Sequence, residues 1–191
     1  MDKKIGLFWL RDDFRLDKND GLIEATRNHD QVVVFYLYKK EIYKNQEAQK
    51  WWLSKSLQNF QNKLNDYNIN LEIIETNSFK IFFDKLMQKK DFKIYWNKVY
   101  EPDYLKFDEY LSNNLKKKDI SFKKYKGNAL NEIDEIKKND GTPFKVFTPF
   151  WRTAEKYYIE KIPAKEKIIK KCKSKKNYFK NCIVPVKIIP K

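Results

Sequence analysis

The chain is poor in the residues from which many catalytic and metal sites are built. Its 191 residues include one histidine, His29, and two cysteines, Cys172 and Cys182. Nine residues separate the cysteines, a spacing that fits no metal motif, and one histidine cannot complete a zinc set. Free thiols in a reducing cytoplasm are expected instead. His29, between a helix and a strand, is expected in a surface turn. Glycine is equally scarce: four residues, with Gly6 inside an apolar run and no Gly-x-Gly-x-x-Gly anywhere. A dinucleotide pyrophosphate therefore lacks its usual cradle, which excludes an ordinary NAD-dependent dehydrogenase. No Ser-His-Asp set, paired-carboxylate site or phosphate loop stands out. Long apolar runs are missing too. The longest, Val32 to Leu37, is far too short to cross a bilayer, so no membrane partner is expected. Met1 to Ile5 leads into the first strand with no signal-peptide core or cleavage site.

Lysine is abundant. The net charge is +15, yet only four of the 41 basic residues are arginine, which argues against base readout by arginine forks. The charge is uneven. Residues 161–191 hold eleven lysines and one acid, and residues 1–160 hold thirty bases against twenty-five acids. Lysine, asparagine and isoleucine are all enriched, so compositional drift and a polyanion-binding face both remain open. The apolar and aromatic content is that of a folded protein.

Hydrophobic patterning alternates strand and helix. Ile5–Leu10, Gln31–Tyr38, Asn70–Glu75, Phe92–Trp96 and Ser121–Tyr125 read as strands. Gly21–Asn28, Glu47–Tyr67, Ser78–Lys89 and Asp103–Lys117 read as helices, with Ser78 as an N-cap. This order predicts an α/β fold: a Rossmann-like, doubly wound, five-stranded parallel sheet with helices on both faces. After residue 127 the grammar changes. Leu130–Lys138 reads as a short amphipathic helix, Asn139–Pro143 as a turn, and Thr148-Pro149 as the start of a helix reaching Ile159. The expected division is 1–127 for the α/β domain, 128–160 for an interdomain-type helix and turn, and 161–191 for a lysine-rich linker or tail.

In open parallel sheets ligands bind beyond the carboxyl ends of the strands, at the switch in strand order. The loop after Leu10, the loop from Tyr38 to Glu47 and the residues after Trp96 should meet there. The first reads Trp9-Leu10-Arg11-Asp12-Asp13-Phe14-Arg15-Leu16-Asp17-Lys18-Asn19, where arginines and aspartates can pair and clamp the loop. The third reads Trp96-Asn97-Lys98-Val99-Tyr100-Glu101-Pro102. An amide and a carboxylate at a strand exit suit a heterocycle with adjacent N–H groups. The alternative is that Glu101 caps the next helix.

The first of these segments resembles the N-terminal signature of the DNA photolyase and cryptochrome family, Trp-Phe-Arg-x-Asp-Leu-Arg-Leu-x-Asp-Asn, with Lys18 where the family has Asp. Residues 96–102 resemble its Trp-Asn-x-x-Tyr-Glu-Pro. Gln46 to Leu57 resembles Gly-x-Ala-x-Arg/Lys-Trp-Trp-Leu-x-x-Ser-Leu, with Gln46 in place of glycine. Lys145-Val146-Phe147-Thr148-Pro149-Phe150-Trp151-Arg152 is similar to the family's Val-Phe-Thr-Pro-Phe segment, an aromatic plug docking against both domains. The resemblance implies the N-terminal, antenna-binding domain of a deoxyribodipyrimidine photolyase-like DNA repair protein. It implies a folate, deazaflavin or flavin antenna chromophore contacted by Glu101, Asn97 and Lys50, with Arg11 and Asp13 in the adjoining loop. Trp51 and Trp52 are expected to pack in the core or between domains.

By the same resemblance FAD belongs to a C-terminal helical domain that this sequence does not include, which would be the partner in cis or as a separate chain. The chain alone is then expected to bind no FAD tightly and to repair no dimers. A cryptochrome-type blue-light sensor shares all these motifs. A stand-alone Rossmann-like nucleotide-binding module and a non-specific polyanion binder are the other readings.

The lysine-rich segment predicts weak, sequence-blind DNA affinity. Binding to duplex DNA should fall steeply between low and moderate salt, because each neutralised phosphate releases counterions. Affinity measured at two salt concentrations checks this, and a salt-indifferent value would overturn the polyanion reading.

Overall fold

A computed structural model of the chain describes residues 4–129, 131–132, 135–158, 169–174 and 176–179. The expected alternation is present. β1 (Ile5–Leu10), α1 (Asp20–Asn28), β2 (Val32–Tyr38), a 3-10 turn (Lys40–Tyr43) and α2 (Glu47–Asn65) come first. β3 (Asn70–Glu75), α3 (Phe79–Leu86), β4 (Phe92–Asn97), α4 (Pro102–Lys117) and β5 (Phe122–Tyr125) follow. The strands form one parallel sheet of order β3-β2-β1-β4-β5. From β1 the chain winds outward through β2 and β3, then crosses back to β4 and β5. The switch in order therefore lies between β1 and β4.

Side-chain alternation along the strands divides the core between two faces. Leu7, Trp9, Val33, Phe35, Ile94 and Trp96 point to one face, where α3 and α4 add Phe82, Phe83, Leu86, Leu111 and Leu115. Phe8, Leu10, Val34, Tyr36 and Tyr95 point to the other, where α1 and α2 add Leu22, Ile23, Leu53, Leu57, Phe60 and Leu64. β1 and β2 are buried along their whole length, as central strands of a doubly wound sheet are. The edge strand β5 carries exposed Lys123 and Lys124, which discourage pairing with another chain. Ser78 caps α3 through a hydrogen bond accepted from the Ile81 N–H.

His29 departs from the surface position expected of it. It is 4% exposed, with Nδ1 against the Lys4 carbonyl (2.7 Å) and Nε2 against the Tyr95 hydroxyl (3.0 Å). The space for its ring comes from Gly6, where an added Cβ would lie 2.8 Å from the imidazole. The histidine is thus a satisfied core residue under β1.

The described residues form two compact units, 1–127 with 167–191, and 128–166. Within the smaller unit, no helix occurs among the described residues of 131–138, where sequence periodicity predicts one. The Asn139–Pro143 turn is present. Lys138 N–H bonds the Thr142 carbonyl at 2.9 Å, Gly141 takes φ +79°, and the Asp140 carboxylate accepts from the Thr142 N–H and hydroxyl. α5 (Phe147–Tyr158) then begins with Pro149 in its first turn, where no N–H partner is lost. Phe147 stacks on Trp151 at 6.2 Å between ring centroids, and both are exposed.

The lysine-rich stretch carries a second departure. Residues 169–179 are not a free tail but dock on the α/β body. The N–H groups of Cys172 and Lys173 bond the carbonyls of Tyr67 and Asp30, and the Lys170 N–H bonds the Thr26 hydroxyl. Both oxygens of Glu72 accept from consecutive N–H groups, of Tyr178 (2.8 Å) and Phe179 (3.2 Å). Phe179 is 2% exposed among Phe35 and Phe82. Cys172 is a buried free thiol whose pKa burial pushes up to about 11, so it is inert at neutral pH. Cys182 lies outside the described residues. Composition hid this docking, because four apolar anchors are scattered among lysines. Phe179→Ala should cost about 3–5 kcal/mol of stability, the usual range for deleting a buried phenyl ring. Urea unfolding of the two proteins measures it, and an unchanged midpoint would mean that the segment does not dock in solution.

Candidate functional site at the carboxyl edge of the sheet

The three segments expected at the switch point do meet there. Beyond Leu10 the chain bends out of β1, and Arg11 and Asp12 meet different elements. Arg11 turns to α4, and Asp12 turns towards α2. Two different environments result.

On the first side Arg11 is 4% exposed. Its guanidinium forms a two-pronged pair with Asp108 of α4, Nη1 to Oδ1 and Nη2 to Oδ2, each at 3.1 Å. Nη2 also donates to the Asn97 carbonyl at 2.6 Å. The guanidinium carbon sits 4.6 Å from the Trp9 ring centroid and 5.4 Å from that of Tyr104, while Nε has no hydrogen-bond partner. Burial pulls the Arg11 pKa down, and the charge and hydrogen bonds of Asp108 oppose this. Removing one member of such a pair strands the other charge in the interior and costs about 3–5 kcal/mol.

Asn97 is the second hub, 5% exposed at the end of β4. Its Nδ2 donates to Asp13 Oδ2 (2.6 Å) and to Asn19 Oδ1 (2.9 Å), and its Oδ1 accepts from the Gly21 N–H (3.2 Å). Asn19 in turn caps α1 by accepting from the Leu22 N–H at 3.1 Å. The other oxygen of Asp13 pairs with Arg15 Nε at 2.8 Å. An added Cβ on Gly21 would lie 2.6 Å from the Asn97 oxygen, so this approach requires glycine. The first N–H groups of α1, the usual phosphate position in a Rossmann-like fold, are filled by the protein's own amides.

The structure thus brings Arg11, Asp13 and Asn97 into one buried network whose polar groups are largely turned on one another. Glu101 and Lys50 lie apart from it. Glu101 is exposed at the N-cap position of α4 ahead of Pro102, and its carboxylate makes no capping hydrogen bond. Lys50 is half-exposed on α2, 3.8 Å from Glu47 in the same helix.

On the second side is a cavity of about 670 Å³. Asp12 and Phe14 come from the β1 exit, Tyr36 from β2, and Ile42 and Tyr43 from the 3-10 turn. The first turns of α2 complete it with Gln46, Gln49 and Trp52. Tyr36 hydrogen-bonds Tyr43, and burial raises its hydroxyl pKa beyond any working range. Tyr104 is pushed up to about 12, mainly by burial. Trp51 and Trp52 are 51% and 67% exposed on α2, so the core position is overturned and the exposed pair faces outward, where packing between domains would place it. Apart from Lys50 and Glu101, the sequence motifs pointed at the buried network. The cavity residues were missed because three separate segments supply them, and only the Trp-Trp pair drew notice. The described residues contain no cluster of three His, Cys, Asp or Glu able to hold a metal ion, and no helix long and apolar enough to cross a membrane.

With this geometry in place, comparison with known proteins identifies the lineage. The DNA photolyase family profile matches residues 6–167. The chain belongs to the DNA photolyase family. A deoxyribodipyrimidine photo-lyase of Agrobacterium fabrum is 28% identical over 149 residues, 78% of this chain and 31% of the relative. Cryptochrome-2 of Arabidopsis thaliana is 29% identical over 166 residues, 85% of this chain and 27% of the relative. The matches fall in the N-terminal part of these proteins, and the chain spans about a third of their length. Among solved structures, the class III photolyase of Agrobacterium tumefaciens superposes with a TM-score of 0.77 at 23% identity, covering 100% of this chain and 39% of its own. An archaeal photolyase from Sulfolobus tokodaii, described with two FAD molecules and a novel light-harvesting cofactor, gives 0.70 at 19% identity, covering 89% and 38%.

Asp12 keeps contact with solvent, yet its carboxyl pKa is raised, first by desolvation and then by Glu101 and Asp13, with Arg11 opposing. A raised folded pKa means that the native state holds the proton more tightly than the unfolded chain. Its stabilising contribution is present below the unfolded pKa of about 4 and is lost as pH rises through the folded value. Asp12→Asn should therefore raise the thermal midpoint at neutral pH, by a margin that shrinks as the solution is acidified. Calorimetry across the mildly acidic to neutral range tests this, and a gain independent of pH would contradict it.

Proposed function

We propose that this chain is the light-harvesting part of a photolyase-like DNA repair protein, and that it holds an antenna chromophore at the carboxyl edge of its sheet. The observation that carries the reading is the aromatic cavity beside the switch point, in a fold shared with photolyases. The chromophore is a folate, deazaflavin or flavin. Trp52, Tyr36 and Phe14 offer ring faces for a flat heterocycle. Glu101 of α4 and Lys50 of α2 are not among the lining residues and would reach the ligand only at the rim of the cavity, while Arg11, Asp13 and Asn97 act as positioning residues that fix the two loops. In such a protein the antenna would hand its excitation energy to a flavin held by a helical partner domain, where repair of a dimer flipped from DNA would take place. The lysines near the end of the sequence add weak, non-specific DNA affinity.

Occupancy of the α1 N-terminus by Asn97 and Asn19 argues against a stand-alone nucleotide-binding module, since a phosphate would have to displace both amides. The cryptochrome-type sensor shares this site, and the plant cryptochrome among the relatives keeps that reading open.

Fluorescence titration with folate, deazaflavin and flavin chromophores tests the proposal. At least one should bind, and Glu101→Gln should weaken it by about 1.5–3 kcal/mol, the worth of a hydrogen bond to a charged group. Identical titrations for the two folded proteins would remove Glu101 from the site, and no binding by any of the three would sink the antenna reading.

A further inference from the structure

Asp12 is the only charged residue among those lining the cavity. Every other polar group there is an amide or a hydroxyl. No lysine or arginine lines it, so an anionic group inside would meet a carboxylate with no compensating cation. Arg11 cannot serve, because its guanidinium is turned to Asp108 and the Asn97 carbonyl. Arg15 is paired with Asp13, and Glu101 adds further negative potential at Asp12. Among the described residues the Asp12 carboxylate accepts no hydrogen bond, so its acceptor oxygens are available to a ligand. An ionised carboxylate accepts hydrogen bonds and donates none. Beside aromatic walls, its natural complement is a flat, uncharged ring bearing an N–H.

We infer that Asp12 is the specificity-determining residue of this cavity, its carboxylate accepting a ring N–H from an uncharged heteroaromatic imide that lies against Trp52 and Tyr36. The inference rests on the cavity being the chromophore site, and it selects chromophores whose ring presents an N–H to Asp12. The lost stability expected of an ionised Asp12 fits a group kept for binding, since such groups are commonly held at a cost to the fold.

The test uses the full chain and two probes, riboflavin and riboflavin methylated on its imide nitrogen. The wild type should prefer riboflavin by about tenfold, because a site built to accept an N–H rejects the analogue lacking it. Asp12→Ala should bring the two affinities within about twofold while leaving the circular dichroism spectrum unchanged. Trp52→Ala should weaken both probes together and so place binding in this cavity. If the wild type binds both probes alike, or Asp12→Ala keeps the preference, the role of Asp12 is overturned while the antenna reading stands. If neither probe binds but a folate does, and Asp12→Ala leaves the folate affinity unchanged, the imide assignment fails alone. Absence of binding by every probe overturns both.

Discussion

A guanidinium buried between an aromatic pair and a carboxylate is the constraint on which the carboxyl edge depends. Arg11 cannot give up its proton in any ordinary medium, so its charge must be met where it lies. Asp108 meets it with a two-pronged bond, and α4 is thereby locked to the end of β1. The same guanidinium holds the Asn97 carbonyl, which leaves the Asn97 side chain facing α1. From there the amide joins Asp13, Asn19 and the Gly21 N–H. A single buried charge thus determines how β1, β4, α1 and α4 meet. The unpartnered Nε and the two flanking rings mark how completely water is excluded.

This network also decides where a ligand can go. In a Rossmann-like sheet the first helix N-terminus attracts phosphate, but here two side-chain amides take its N–H groups. On the proposed reading, binding is displaced to the other side of β1, where Asp12 emerges one residue later. Adjacent residues therefore have opposite roles. Arg11 turns inward and is wholly consumed by structure, whereas Asp12 turns towards a solvent-filled concavity between β2, the 3-10 turn and α2. The division is made in the bend that follows β1, where Arg11 joins Asp108 and Asp12 joins the cavity lining.

The fold was largely legible because its signals are local and agree with one another. Valine-rich β2, the helical spacing of Leu53, Leu57, Phe60 and Leu64, and the Ser78 cap each point to one structure. The parts that were not legible depend on contacts between distant segments. The burial of His29 depends on a missing Cβ at Gly6, twenty-three residues away. The docking of Phe179 depends on a hole beside Phe35 and Phe82, which no pattern within a lysine-rich stretch reveals. At the site, the motifs led to Arg11, Asp13 and Asn97 because buried networks demand fixed residue types. The cavity wall tolerates many side chains, so Ile42, Gln46 and Gln49 carry no recognisable signal. Trp51 and Trp52 show the limit of the opposite inference: two adjacent tryptophans suggest a core, yet a helix surface exposes them both.

The docked segment bears on how the two edges of the sheet divide their work. Asp30, Ile69 and Asp91 lie one or two residues before β2, β3 and β4, so they mark the amino edge. Residues 169–179 bond to groups of that edge: the Asp30 and Tyr67 carbonyls, Glu72 near the start of β3, and the Asp91 carboxylate, which accepts from the Tyr178 hydroxyl at 2.9 Å. Lys89 adds a bond to the Tyr178 carbonyl and lies 4.7 Å from its ring. The returning chain thus packs on the amino edge and leaves the cavity at the carboxyl edge to its own loops. A segment crossing the other edge would have covered the mouth between the 3-10 turn and α2. The docked segment and the proposed binding cavity therefore lie at opposite ends of the same strands.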